Sequence, residues 1–136
     1  MVRTGKTLTV PDVVEINRRM INHFGGIFFE GDDNLANRGS LEYVLDEIHG
    51  SLYGQELYPD LFQKAGLIAW RIIIGHIFHD GNKRTATVAM LLFLALNGQR
   101  LEATEDERYD QVLGLAAGEV EEEALATWLS TRIRPR

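Results

Sequence analysis

Cysteine is absent from the 136 residues, which excludes disulfide bonds and metal sites built on thiolates. Long apolar runs are also missing. The longest run, Val88 to Leu96, has nine residues, far fewer than the roughly 20 that a membrane-spanning helix needs. No apolar stretch follows Met1 to Lys6, so this segment does not have the form of a secretory signal. We therefore expect a cytoplasmic protein with no membrane contact.

Positive charge is scarce as well. Fourteen Lys and Arg face 20 Asp and Glu, giving a net charge of −6. This balance argues against direct nucleic-acid binding, which depends on many phosphate contacts. One locally basic pocket could still hold an anion.

The length predicts a single domain over residues 1–136, and the apolar fraction of 45% is ordinary for a globular protein.

Apolar residues recur mostly at helical spacing, with helix start and stop signals around them. The pattern predicts an all-α fold, a compact bundle of about six helices with a buried central pair. The predicted helices are Thr9 or Val10 to Phe24, Ser40 to Ile48, Pro59 to an end near His76 to Phe78, Asn82 to Asn97, Asp106 to Ala117 and Glu121 to Ile133. The fourth helix is apolar on every face, so we expect the other helices to enclose it.

The segment from Ser51 to Tyr58 does not follow helical spacing. Leu52 and Tyr53 precede Gly54, and a second pair of apolar residues follows it, which predicts a short β-hairpin. We expect no other strand of consequence. Ile27 to Arg38 is predicted to be a loop, and Gln99 to Ala103 a short extended connection.

Residues His76 to Arg84, with the sequence HIFHDGNKR, lie between the two most apolar helices. A turn of Asp80, Gly81 and Asn82 at a helix start can direct backbone N–H groups into a concavity, where the positive end of the helix dipole also favours an anion. Lys83 and Arg84 add full positive charges. The segment therefore predicts an anion site with a carboxylate and a histidine beside it.

Phosphoryl transfer needs these groups. The phosphates need N–H donors, a cation and Mg²⁺, and the attacking hydroxyl needs a base with a pKa near neutral, which histidine as a residue type supplies. A nucleophilic serine or cysteine is not indicated, because cysteine is absent and the serines lie in no recognisable motif.

The motif resembles the signature of the Fic/Doc (Fido) family, in the form carried by the death-on-curing toxin branch. Lys83 and Thr87 stand where the Fic form has glycine and a second arginine. The resemblance continues through Arg38-Gly-Ser-Leu-Glu, Leu57-Tyr-Pro-Asp-Leu-Phe, Leu91-Leu-Phe-Leu and Asn97-Gly98, and it covers most of the chain. It implies the Fido fold.

The resemblance also implies a role for each motif position. His76 would be the general base, Asp80 would hold Mg²⁺, and Phe78 would be a core wedge that fixes the loop. The phosphates would bind at Gly81, Asn82, Lys83 and Arg84. The hairpin would be the flap that aligns the target segment by strand addition, through Ser51, Leu52, Tyr53, Gly54 and Gln55.

The family further implies a toxin of a toxin–antitoxin module that uses ATP and Mg²⁺ to phosphorylate a protein hydroxyl, with elongation factor Tu as the target. Lys83 and Thr87 favour phosphate transfer over AMP transfer, whereas Gly81 resembles the AMP-transferring form. The family's inhibitory motif, [Ser/Thr]-x-x-x-Glu-[Gly/Asn], is absent, since Gly26 stands at the hydroxyl position before Glu30-Gly31. We therefore expect a cognate antitoxin that covers the site.

Three other interpretations remain open. A catalytically silent Fido module would act only as a binding partner. A metal phosphohydrolase would use His76, His79 and Asp80, with His79-Asp80 as its His-Asp doublet, but only His23 and His49 remain as further histidines. The motif could also be no more than a well-capped helical corner, with His79 on the solvent side.

Overall fold

The computed structural model describes residues 7–136. Within that range it contains six α-helices and four short strands. The helices are α1 (Val10–Phe24), α2 (Arg38–Glu47), α3 (Leu61–Ile74), α4 (Asn82–Leu96), α5 (Glu105–Ala116) and α6 (Glu122–Arg132). The strands are β1 (Ser51–Leu52), β2 (Gln55–Glu56), β3 (Gln99–Leu101) and β4 (Ile133–Pro135). The predicted all-α class is confirmed.

Local capping sets where the helices begin. At α1, the Thr9 hydroxyl accepts the Asp12 N–H at 3.3 Å, and the Asp12 carboxylate accepts the Thr9 N–H at 2.9 Å. The same reciprocal box joins Thr104 and Glu107 at α5. Each box satisfies two N–H groups that the helix itself leaves without partners. Local sequence therefore determines these starts.

Helices α3 and α4 form the centre of the molecule. They pack against each other, α1 and α5 pack on α4, and α2 and α6 pack on α3. The core side chains from this pair are largely aliphatic, with Phe93 and Met90 from α4 both about 1% exposed. The predicted central pair is therefore present.

The expectation that α4 is enclosed on every face is wrong. Leu92 is 37% exposed and Leu96 is 40% exposed. Helices α3, α1 and α5 pack on α4, and the side of α4 that carries Leu92 and Leu96 stays partly exposed. An apolar residue at the surface is common in folded proteins, so the sequence pattern alone overstated the enclosure.

The predicted hairpin is present but short. Ser51 pairs with Glu56 and Leu52 with Gln55, in antiparallel register. A second ladder was not predicted: β4 pairs antiparallel with β3, and Leu101 lies opposite Ile133. The last helix accordingly ends at Arg132, one residue before the predicted end. The partners are more than 30 positions apart, which helical periodicity cannot reveal.

An ion pair ties the last two helices together. The Arg132 guanidinium lies 2.6 Å from the Glu107 carboxylate. This hydrogen bond, helped by the Thr104 N–H, lowers the pKa of Glu107 from 4.5 to about 2.

In the described residues, 7–136, no helix has the length and apolar character to cross a bilayer.

Candidate active site

The segment that carries the predicted chemistry begins where α3 ends. The His76 N–H donates to the Ile73 carbonyl at 3.3 Å, and the Ile77 N–H donates to the Ile72 carbonyl at 3.3 Å. These two bonds form a Schellman motif, in which the residue at the position of His76 is usually glycine. His76 has φ of 44°, a conformation that costs a residue with a side chain about 1–2 kcal/mol. The fold thus keeps a histidine at a position where glycine would be more stable.

The loop between α1 and α2 lies alongside this segment. Leu35 forms an antiparallel bridge with Phe78, and the Ala36 N–H donates to the Ile77 carbonyl at 2.8 Å. The side chain of Asn37, just before α2, donates to the carbonyls of Gly75 and His76, both at 2.9 Å. The backbone around His76 is therefore held from outside as well as by its own helix.

Asn82 holds the middle of the segment. Its side-chain oxygen accepts the Phe78 N–H at 2.9 Å, and its amide donates to the Phe78 carbonyl at 2.8 Å. The Phe78 ring is 1% exposed, so this pair of bonds seals the loop over a core side chain. The Asn82 side chain thus holds the loop with its oxygen and one amide hydrogen, which leaves the other amide hydrogen and the backbone N–H for an anion.

Gly81 occupies the position just before α4, with φ of 80°. A Cβ atom there would come within 3.0 Å of both the Asn17 amide and the Ile21 side chain. The Gly81 N–H donates to one carboxylate oxygen of Asp80 at 2.9 Å, and the Ile27 N–H donates to the other at 3.0 Å. Glycine is needed here both for its backbone angle and for the close approach of α1.

The first turn of α4 has no side-chain cap. Its leading N–H groups lack partners within the helix, and the positive end of the helix dipole lies at the same place. Lys83 is exposed beside these groups. Arg84 is exposed too, but its guanidinium lies over the Phe24 ring, 4.1 Å from the centroid. Lys83 is therefore the motif cation that faces the cleft.

These groups meet in an open cleft of about 300 Å³. His76 is exposed at its edge and does not turn into the core. The wall also contains apolar residues from the end of α3 and from α5. The lining residues are Ile73, Ile74, His76, His79, Asp80, Gly81, Asn82, Lys83 and Ala116. The cleft therefore combines a base, a carboxylate, a cation and helix N–H groups.

The carboxylate chemistry of the cleft suits Mg²⁺ bound together with a polyphosphate. Asp80 is the acidic residue that lines the cleft, and each of its oxygens keeps a second lone pair beyond the N–H it accepts. Mg²⁺ typically takes one or two carboxylates and fills its other positions with phosphate oxygens and water. In residues 7–136 no three His, Asp or Glu side chains group as a metal site would require. This argues against the metal phosphohydrolase interpretation.

His79, predicted to lie on the solvent side, is exposed. Its ring nitrogen is 3.3 Å from the Asp32 carboxylate, and its ring meets Phe29 edge-on at 5.1 Å between centroids. It thus fastens the short 3-10 turn Glu30–Asp32 to the rim of the cleft.

The hairpin is held at its base by a buried lysine. The Lys64 ammonium, on α3, donates to the Ile48 carbonyl at 2.7 Å and to the Tyr58 carbonyl, and Glu56 lies 3.5 Å away. At the tip, Tyr53 and Gly54 both have positive φ, 51° and 79°, as a two-residue type I′ turn requires. Burial raises the pKa of Tyr58, and the charge of Glu47 adds to this. The base is thus fixed while the tip is in solvent.

Comparison with known sequences shows the family of this chain. The sequence model of the Fic/DOC family matches residues 7–94. This chain belongs to the Fic/DOC family. It is 33% identical over 91 residues to a protein named Toxin Doc from Mycolicibacterium smegmatis, covering 67% of this chain and 70% of that protein. It is 28% identical over 118 residues to a protein named Protein kinase doc from Escherichia phage P1, covering 87% and 88%.

Several residues that shape the site were missed from the sequence. Asn17, Asn34 and Asn37 all contact backbone carbonyls of the loop from Gly75 to Asp80, and Lys64 holds the hairpin. Asn17 did leave a signal, because it lies four residues after Val13 on the apolar face of the first helix. A polar residue on a buried stripe requires a buried partner. The others lie in loops or read as surface residues, and they left no such signal.

Proposed function

We propose that this chain is a Doc-like toxin that transfers the γ-phosphate of ATP, with Mg²⁺, to a hydroxyl of a protein target, elongation factor Tu. The observation that carries the proposal is the cleft in which His76, Asp80 and Lys83 meet the uncapped start of α4. The names of the two relatives, Toxin Doc and Protein kinase doc, support it.

Each group has a task in this reaction. A ring nitrogen of His76 takes the proton as the target oxygen bonds to the γ-phosphorus, and the bond from that phosphorus to the bridging oxygen of ADP breaks. The N–H groups at the start of α4, with Lys83, neutralise the phosphates. Asp80 would hold Mg²⁺, which supplies further charge neutralisation at the phosphates.

A second candidate, AMP transfer by the same residues, is favoured by Gly81 alone. Thr87 opposes it, since its hydroxyl donates to the Lys83 carbonyl at 2.9 Å and offers no charge where the AMP-transferring form has its second arginine. A third candidate, a silent binding module, would share the cleft without catalysing transfer. A cognate antitoxin that covers the cleft is part of the proposal, because the chain carries no inhibitory motif of its own.

The test uses ATP labelled at the α- or the γ-phosphate, purified elongation factor Tu, and the wild-type chain beside His76→Ala and Asp80→Asn. We expect label only from γ-labelled ATP, and a loss of about 10²–10⁴-fold in rate for His76→Ala. Label from α-labelled ATP would establish AMP transfer instead. No label from either, with undiminished toxicity of His76→Ala in cells, would favour the silent module.

A further inference from the structure

The main-chain carbonyl of Asp80 points into a buried polar cluster. The Asn17 amide donates to it at 2.9 Å, and the Asn34 amide lies 3.5 Å from it. Both asparagines are 0% exposed. Asn17 belongs to α1 and Asn34 to the following loop, so two separate segments converge on one carbonyl of the motif.

The cluster is closed on itself. The Asn34 amide donates to the Asn17 side-chain oxygen at 2.9 Å, the Asn17 amide also donates to the Thr85 hydroxyl at 3.0 Å, and the Phe29 N–H donates to the Asn34 side-chain oxygen at 3.1 Å. Rotating either amide would leave a buried polar group without a partner, at a cost of about 1–3 kcal/mol. The cluster is therefore a rigid support behind the loop.

Peptide geometry carries this support to the carboxylate. The described residues contain no cis peptide, and in a trans peptide the C=O and N–H bonds point in opposite directions. With the Asp80 carbonyl held on the core side, the Gly81 N–H is turned outward, where it donates to the Asp80 carboxylate at 2.9 Å. The direction of that N–H thus depends on the two asparagines.

We infer that Asn17 and Asn34 are positioning residues for the Asp80 carboxylate, and through it for the divalent cation that the substrate phosphates share. This inference rests on the proposed function only for the identity of the cation and nucleotide. Asn37 provides a matched comparison, because its bonds go to Gly75 and His76 at the opposite end of the loop.

The first experiment needs no nucleotide. Exchange of the Gly81 amide hydrogen is followed by NMR in the wild type, Asn17→Leu, Asn34→Gly and Asn37→Ala. Asn34 has φ of 61°, so glycine keeps its backbone while removing the amide. Loss of a hydrogen bond of ordinary strength predicts exchange up to about tenfold faster in the first two variants and no change in Asn37→Ala. Equal exchange in all four proteins would overturn the inference.

The second experiment measures ATP affinity in Mg²⁺ and in EDTA. We expect Asn17→Leu to lose most of the gain that Mg²⁺ gives and to bind as the wild type does in EDTA. In an Asp80→Asn background the same substitution should have no further effect, since residues that act through one group are not additive. A purely structural role predicts the opposite: weaker binding in both solutions, and additive losses.

Each variant's unfolding midpoint is measured alongside, and Asn34→Gly replaces Asn17→Leu if the latter does not fold.

The two experiments also distinguish a wrong role for the asparagines from a wrong proposed function. If the wild type binds no ATP in either solution, the proposed function fails, and the exchange of the Gly81 amide still decides whether the asparagines position Asp80.

Discussion

The loop from Gly75 to Asn82 and the hairpin from Ser51 to Glu56 each carry a residue with a side chain at positive φ, His76 and Tyr53, yet they are held in different ways. In the loop, asparagine side chains donate hydrogen bonds to the carbonyls of Gly75, His76, Phe78 and Asp80. The hairpin has two-residue strands that are exposed throughout, and its known anchor is at its base.

This difference matches two different tasks. A phosphate site works best when its donors need no rearrangement during the reaction. The hydrogen bonds from the asparagines keep the loop in one conformation, as such a site requires. A surface that pairs with a target backbone needs an unpaired strand edge, and a two-stranded sheet has one on each side. The loop, where we propose that the chemistry takes place, is therefore rigid, and the hairpin, which we propose contacts the target, is exposed.

The substitution His76→Gly should have the largest effect, and it acts on the loop alone. Glycine suits φ of 44° better than histidine, so we expect a gain of up to about 1–2 kcal/mol in unfolding free energy. The base is lost at the same time, and transfer should fall by about 10²–10⁴-fold. Urea unfolding and the γ-label assay measure the two. A less stable His76→Gly protein would mean that the positive φ carries no strain.

The next largest effect compares how much side-chain packing contributes to stability in the loop and in the hairpin. Phe78→Ala removes a buried ring beneath the loop and should cost about 3–5 kcal/mol in unfolding free energy. Leu52→Ala in the hairpin removes a side chain that is 58% exposed, and should change it by less than about 0.5 kcal/mol. Denaturant titration compares them. Similar losses would show that the hairpin packs as firmly as the loop does.

Lys64→Met tests the hairpin's base. It leaves the carbonyls of Ile48 and Tyr58 without the ammonium, at a cost of about 1–3 kcal/mol for each buried group left unpaired, and should speed proteolysis within the hairpin. Lys83→Met is the matched control, because that lysine is exposed. It should leave stability unchanged and weaken ATP binding. If proteolysis of the hairpin is the same in both variants, Lys64 is not its anchor.

The smallest effect is at the hairpin tip. Tyr53→Asn creates an Asn-Gly pair, the preferred sequence for a type I′ turn, and should stabilise the protein by up to about 1 kcal/mol. The contrasting variant is Tyr53→Val, in which a branched side chain strains the same turn further. Thermal unfolding of both variants decides. A drop in target labelling by Tyr53→Asn, with ATP binding intact, would assign the exposed ring to target contact.

Much of the fold could be predicted because local rules act on adjacent residues. Proline and acidic residues at helix starts and glycines after helix ends put most helix ends within two residues of their observed positions. The end of α3 is an exception: it was predicted near His76 to Phe78 and is Ile74. The second ladder, β3 with β4, could not be predicted, since pairing between distant short strands leaves no periodic trace. The open face of α4 also depended on how many helices pack around it.

The order of the elements and the nine-residue motif could be read along the chain, because caps, turns and a contiguous motif are interactions between near neighbours. Which groups hold that motif in place is apparent only from the packing of distant segments. Asn17, Asn34 and Asn37 come from segments far along the chain from His76 and Asp80, and a buried amide reveals its partner only when those segments are folded together. The same holds for Arg84, whose position over Phe24 depends on where the end of α1 meets the start of α4.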